Sequence, residues 1–162
     1  MRIHFVLFLI FAPSMLMANC RDGEELLISC TFQNGAKMVT TCLSGDQATY
    51  EFGPTGGVPE LTLKRHVRNV DMHPWSGFGR WIAEGLTFAN GDYRYVLRYA
   101  IDKLAEGSVI EGDLWVGKGE FRLAELICDE GSVLTSGYPL PLFDAKMNAG
   151  QTWSHEDIEW SK

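Results

Sequence analysis

The chain has 162 residues, with 14 basic against 21 acidic side chains and a formal charge of −7. An acidic balance is poorly matched to a phosphate backbone, so nucleic acid is not an expected partner; the charge serves solubility or favours a basic partner. Length and charge together read as one acidic domain, behind a segment that is removed.

That segment comes first. Arg2 and His4 precede an unbroken apolar run over residues 5–11, Pro13 and Ser14 interrupt it, and Ala18 offers a small residue for cleavage. This order is that of a secretory signal peptide over residues 1–18, leaving a single domain over 19–162. The run is shorter than the ~20 residues a membrane span takes, and no second run of that length follows, so no transmembrane span is expected after cleavage. Removing the segment takes one basic residue with it and leaves a charge of −8. A lipid anchor on Cys20 is disfavoured, because Asn19 stands where such signals carry a small residue. The chain holds no Asn-x-Ser/Thr acceptor, which is compatible with a bacterial periplasm.

All four cysteines, Cys20, Cys30, Cys42 and Cys128, follow the signal segment. An even count in an exported protein reads as two disulfides, with three pairings open. Cys30 and Cys42 flank a turn at Asn34 and Gly35, so the expected pairing is Cys30 with Cys42 across a hairpin and Cys20 with Cys128.

The dominant hydrophobic period is two, with turn signals about every ten residues, as in an antiparallel β-domain. Strands are expected over 26–31, 38–43, 48–52 and 61–64, with a loop by composition at 53–57. Asn90-Gly91 is a preferred two-residue hairpin turn. It would place Ile82, Leu86, Phe88, Tyr93, Tyr95, Leu97, Tyr99 and Ile101 on one face, with Ala83, Thr87, Asp92, Arg94 and Arg98 on the other. A second hairpin at Lys118-Gly119 would set Ile110, Leu114 and Val116 opposite Ile127, Leu123 and Phe121. Residues 142–148 read as one or two helical turns ended by Gly150. The tail over 153–162 is polar with two tryptophans, an edge strand or a loose end. The expected fold is all-β, a small antiparallel barrel or sandwich with a short C-terminal helix, tied by disulfides.

Two places carry potential chemistry. Glu84 falls on the apolar face, across from Leu97. A carboxylate there must be paired, protonated or at a rim, and either a general acid or an ion pair with Arg80 accounts for it. The 73–81 segment, His-Pro-Trp-Ser-Gly-Phe-Gly-Arg-Trp, gathers Trp75, Phe78, Arg80 and Trp81 in one loop. Such loops form binding surfaces or plug the end of a β core. Its glycines lack the strand-to-helix setting of a nucleotide loop, so no cofactor is expected. His66, Asp71 and His73 are loosely spaced for a metal, which wants three convergent ligands. Ser132 and Ser136 sit in flexible sequence outside any nucleophile elbow.

With these residues laid out, the chain resembles a group of small exported bacterial proteins of unassigned activity. The match runs through Cys30, Asn34-Gly35-Ala36-Lys37, Cys42, Tyr50-x-Phe52-Gly53 and Glu60-Leu61-x-Leu63. It continues in Pro74-Trp75-x-Gly77-x-Gly79-Arg80 and Asn90-Gly91-x-Tyr93. That resemblance implies an exported, β-rich protein. The front half is also similar to periplasmic C-type lysozyme inhibitors, disulfide-tied β-barrels that plug the enzyme cleft with a Ser-Gly-x-x-Tyr motif. Here Ser44-Gly45 precedes Tyr50 at a different spacing, and Ser136-Gly137-Tyr138 is contiguous.

The leading expectation is a periplasmic or secreted, non-catalytic binding protein for a basic envelope or extracellular partner. Its contact surface would be the tryptophan loop, and a lysozyme-inhibitor-like role is its most concrete form. The alternatives are a small-ligand barrel lined by Tyr93, Tyr95 and Tyr99, or an envelope hydrolase using Glu84 with His66 or His73.

Overall fold

The computed structural model describes residues 20–107 and 109–161, so the expected signal segment lies outside the described residues. Alternating side chains with turn residues between them produce two five-stranded antiparallel sheets. The first contains β1 (Glu25–Phe32), β2 (Lys37–Ser44), β3 (Gln47–Pro54), β4 (Leu61–His66) and the short β10 (Leu134–Thr135), in the order β10-β1-β2-β3-β4. The second contains β5 (Asp71–His73), β6 (Trp81–Asn90), β7 (Tyr93–Asp102), β8 (Ile110–Lys118) and β9 (Phe121–Ile127), in chain order. The sheets do not close into a barrel. They face each other as a sandwich around one apolar core. Tyr50 is at its centre, its ring 5.5 Å from both Phe88 and Tyr95 of the opposing sheet.

The helix expected near the C-terminus is α1 (Pro141–Asn148), begun by a proline and followed by Gly150 at positive φ. The tail forms a two-strand hairpin, β11 (Trp153–Ser154) and β12 (Glu159–Trp160), rather than joining a sheet edge. Trp160 is buried and donates its indole N–H to the Met72 carbonyl at 2.7 Å, which docks the hairpin on β5. Beneath it Lys146 is only 1% exposed. Its ammonium donates to the Val67 and Val70 carbonyls and sits 4.9 Å from the Trp160 ring centroid. Burial pulls its pKa down to about 8, against the opposing pull of Asp71 and with a smaller push from Arg68. No described helix is long and apolar enough to cross a membrane.

Register departs from expectation in two ways with opposite consequences. At the β6–β7 hairpin the turn is Gly91-Asp92, one residue later than expected, and Asn90 pairs with Tyr93. Moving a turn by one residue changes which residues meet by two positions, so every side chain stays on its expected face. Glu84 therefore still points inward, but opposite Tyr99 rather than Leu97. In the β8–β9 hairpin, Lys118 pairs with Phe121 and a bulge follows between Val116 and Gly117. One inserted residue swaps the faces beyond it. Leu126 packs toward the core in place of Ile127, and Phe121, Leu123 and Ile127 are exposed on an edge strand.

The disulfides are present, but the expected pairing is corrected: Cys20 bonds Cys42 and Cys30 bonds Cys128. The β1–β2 ladder shows why. Cys30 lies opposite Val39 while Cys42 lies opposite Leu26. Three residues of strand separate Cys42 from Cys30's partner, roughly 10 Å, beyond the reach of a bridge. Cys128 instead leaves the second sheet and crosses to β1, with its amide donating to the Gly112 carbonyl at 2.9 Å. A Cβ at Gly112 would lie 2.9 Å from the Cys128 sulfur, so only glycine admits the crossing.

The two bridges close sequence separations of 98 and 22 residues. Loop-closure entropy then gives about 5 kcal/mol for Cys30–Cys128 and about 3 kcal/mol for Cys20–Cys42. The Cys30→Ser/Cys128→Ser protein is accordingly expected to unfold at lower urea than the Cys20→Ser/Cys42→Ser protein. A non-reducing peptide map linking Cys30 to Cys42 would overturn the assignment.

Candidate functional site

The tryptophan loop caps one end of the second sheet. It enters from β5 through Pro74 and turns at Gly77 and Gly79, whose φ values of 86° and 90° are open to glycine but strained for other residues. Trp75 does not project. Its indole N–H donates to the Phe78 carbonyl at 2.9 Å, its ring meets Tyr138 edge-on at 5.2 Å, and the Lys103 ammonium lies 4.6 Å above it. Trp75 is therefore the brace of the loop, and Phe78, 83% exposed, is its tip. Trp81 is the first residue of β6 and is also exposed, with the Arg80 guanidinium over its ring at 5.8 Å.

Arg80 is the second brace. Its guanidinium grips the nearly buried Asp102 carboxylate with both oxygens engaged, the Nε contact measuring 2.7 Å. That hydrogen-bonded pairing, with the Leu104 amide at 3.0 Å on the same carboxylate, holds Asp102 below the usual carboxylate range. The Lys103 amide donates to the Arg80 carbonyl at 3.1 Å. The turn after β7 thus runs beside the tryptophan loop and presents Leu104, 73% exposed, next to Arg80. Phe78, Trp81 and Leu104 make an apolar tip that the sequence showed only in part, because Leu104 enters through the tertiary contact.

Glu84 does not pair with Arg80. It is 2% exposed, and Arg80 is committed to Asp102. Glu84 Oε2 accepts from the Tyr99 hydroxyl at 2.9 Å and from the Leu140 amide at 3.0 Å. Its other oxygen has no hydrogen-bond partner among the described residues. The Tyr99 hydroxyl also reaches the Gly137 carbonyl at 3.1 Å. The carboxylate is thus a post on the inner face of β6 that fastens the chain leading into α1. Burial pushes its pKa up, and the hydrogen bonds from the Tyr99 hydroxyl and the Leu140 amide oppose that push.

The histidines do not join it. His73 is the cross-strand partner of Gly85, the residue after Glu84. Cross-strand partners share a face and neighbours alternate, so His73 and Glu84 point to opposite sides of the sheet. His73 packs edge-on against Trp153 at 5.7 Å. His66 lies at the end of β4 in the other sheet, 3.3 Å from Asp46, and its Nδ1 accepts from the Arg68 amide. Asp71 and His73 do share a face, but the one group of potential metal ligands among the described residues is Cys20, Glu24 and Cys42, whose two sulfurs form a disulfide. Tyr99 is buried, Tyr95 is packed against Tyr50, and Tyr93 is partly exposed beside Lys118. Tyr50 is 1% exposed, so Ser44-Gly45 and Tyr50 do not form a projecting plug.

The raised pKa of Glu84 has a definite sign in stability. A carboxyl that holds its proton more tightly when folded stabilises the fold below the ordinary glutamate range, and that contribution is lost as pH rises through the raised folded value. Asp102 and Asp129 act below that range, because their folded values are depressed. Unfolding free energy measured from pH 4.5 upward should therefore fall in the window set by Glu84, and Glu84→Gln should flatten that fall. An unchanged slope in the variant would remove Glu84 as its source.

The chain matches no family model, no curated protein and no solved structure.

Proposed function

We propose that this protein is an exported, non-catalytic binding protein, periplasmic or secreted, that holds a protein partner at the tip formed by Phe78, Trp81 and Leu104. The observation that carries the reading is a rigid backbone presenting exposed apolar side chains. Phe78 and Leu104 stand in solvent, yet the segments bearing them are tied by the Arg80–Asp102 pair, the Lys103 amide and the Trp75 indole. Exposed apolar clusters on a soluble surface mark contact sites, and pre-organisation lowers the entropy lost on binding. Two disulfides fit an oxidising compartment, and the acidic balance favours a basic partner. A basic lysozyme is a suitable first partner, although the tip, not a Ser-Gly-x-x-Tyr plug, would make the contact.

Phe78→Ser with Leu104→Ser removes the two most exposed of the tip's three side chains and leaves the braces in place. Capture of a partner from envelope extract should fall by about tenfold or more, the loss expected for truncating central apolar anchors, with the melting temperature nearly unchanged. Trp75→Ala should lower that temperature instead, because Trp75 packs against Tyr138 and Lys103. Undiminished capture by the double variant would place the contact elsewhere.

A further inference from the structure

Beside the tip, the second sheet has a gap in its pairing. β8 begins at Ile110, but its ladder with β9 begins only at Asp113, opposite Ile127. Among the described residues no strand pairs with Ile110 and Glu111 on that side, because the chain crosses to the first sheet at Cys128, whose amide takes the Gly112 carbonyl. A groove of about 510 Å³ lies along this gap. Its floor includes the small cross-strand pair Ala83 and Ala100. Its walls include the exposed side chains of Val109 and Ile127. Ala83 follows Trp81 on the same face of β6, so the groove continues the tip.

The groove is acidic. Glu111, Asp113, Asp129 and Glu130 line it, against a single cation, Arg98. Arg98 is spent on Asp113, with contacts of 2.8 and 3.0 Å. Asp129 is charged in spite of its surroundings. Burial pushes its carboxyl up, but hydrogen bonds from the Gly35 amide, the Thr31 hydroxyl and the Asn34 amide outweigh that push and hold it low. Glu111 and Glu130 are exposed and appear in no ion pair of the described residues. These carboxylates do not converge as metal ligands do. They share the groove with the apolar side chains of Ala83, Ala100 and Val109.

We infer that this groove receives a segment of the protein partner that carries lysine or arginine side chains among apolar ones. The composition follows from the site. Ala83, Ala100 and Val109 offer apolar contact, while Glu111, which shares the face of its cross-strand partner Ala100, and Glu130 offer carboxylates that stand in no ion pair of the described residues. The inference rests on the reading of the tip as a protein-contact surface and adds to it the chemistry of what is bound.

The test is fluorescence anisotropy of the oxidised protein with a labelled alternating Val-Lys peptide, beside its Val-Glu counterpart. The Val-Lys peptide should bind, should weaken as salt is raised, and should lose about tenfold or more in affinity to Glu111→Lys/Glu130→Lys protein. Both substitutions are on exposed positions, and an unchanged melting temperature would establish that the variant is folded. Absence of Val-Lys binding, equal binding of the Val-Glu peptide, or undiminished binding by the double variant would each overturn the assignment. Phe78→Ser/Leu104→Ser protein should bind the peptide normally, so loss of partner capture in that variant with retained peptide binding separates the tip from the groove.

Discussion

The structure depends on the crossing at Cys128. There the chain ends its run along the second sheet and passes to the first. Three kinds of bond hold the passage: the Cys30–Cys128 disulfide, the Asp129 amide on the Thr31 carbonyl, and the Asp129 carboxylate on Thr31, Asn34 and Gly35. The facing sheets of a sandwich share no ladder hydrogen bonds, so side-chain contacts resist their separation: apolar packing chiefly, with the Arg65 guanidinium on the Ala89 carbonyl beside it. Tyr50 against Phe88 and Tyr95 supplies that packing at the centre, and the crossing adds a covalent tie at one end. The same crossing stops the β8–β9 ladder at Asp113 and leaves the acidic groove beside it. A constraint needed for folding thereby opens a surface available for binding.

A second tie works in the same cross-strand row, on the inner face of the sheet. Glu84 is a carboxylate within an apolar layer, a costly placement unless hydrogen bonds compensate. Its partners come from β7 and from the chain entering α1, so it joins elements far apart in sequence. Tyr99 extends the linkage to Gly137, and Tyr138 in turn supports Trp75. The order of the tryptophan loop therefore reaches back into the core through Glu84. This explains a buried acid without assigning it a reaction, and the outward direction of His73 agrees with that account.

Much of the fold was legible because its physical basis is local. Period-two alternation marks strands with one wet face, and the Asn-Gly and Gly-rich breaks mark where the chain reverses. The β6–β7 faces survived a misplaced turn, since a turn moved by one residue shifts the pairing by two and preserves the alternation. The β8–β9 faces did not survive beyond the bulge at Val116 and Gly117, which inserts a single residue and turns Ile127 outward in place of Leu126. No composition signal distinguishes the two cases. A bulge is selected by the neighbours it packs against, and here a Cβ on Gly117 would meet the Trp115 ring at 2.8 Å.

The sequence alone determined the class of this protein: acidic, β-rich and cysteine-bridged, with an aromatic loop and one carboxylate on an apolar face. Each of these is a property of neighbouring residues or of composition. Tertiary structure decided the disulfide partners, the pairing of Arg80 with Asp102 rather than Glu84, the place of the turn bearing Leu104 beside Arg80, and the acidic groove. These depend on which distant segments lie within a few ångströms of each other. That is set by register and by the crossing at Cys128, where a one-residue change in pairing is enough to alter the outcome.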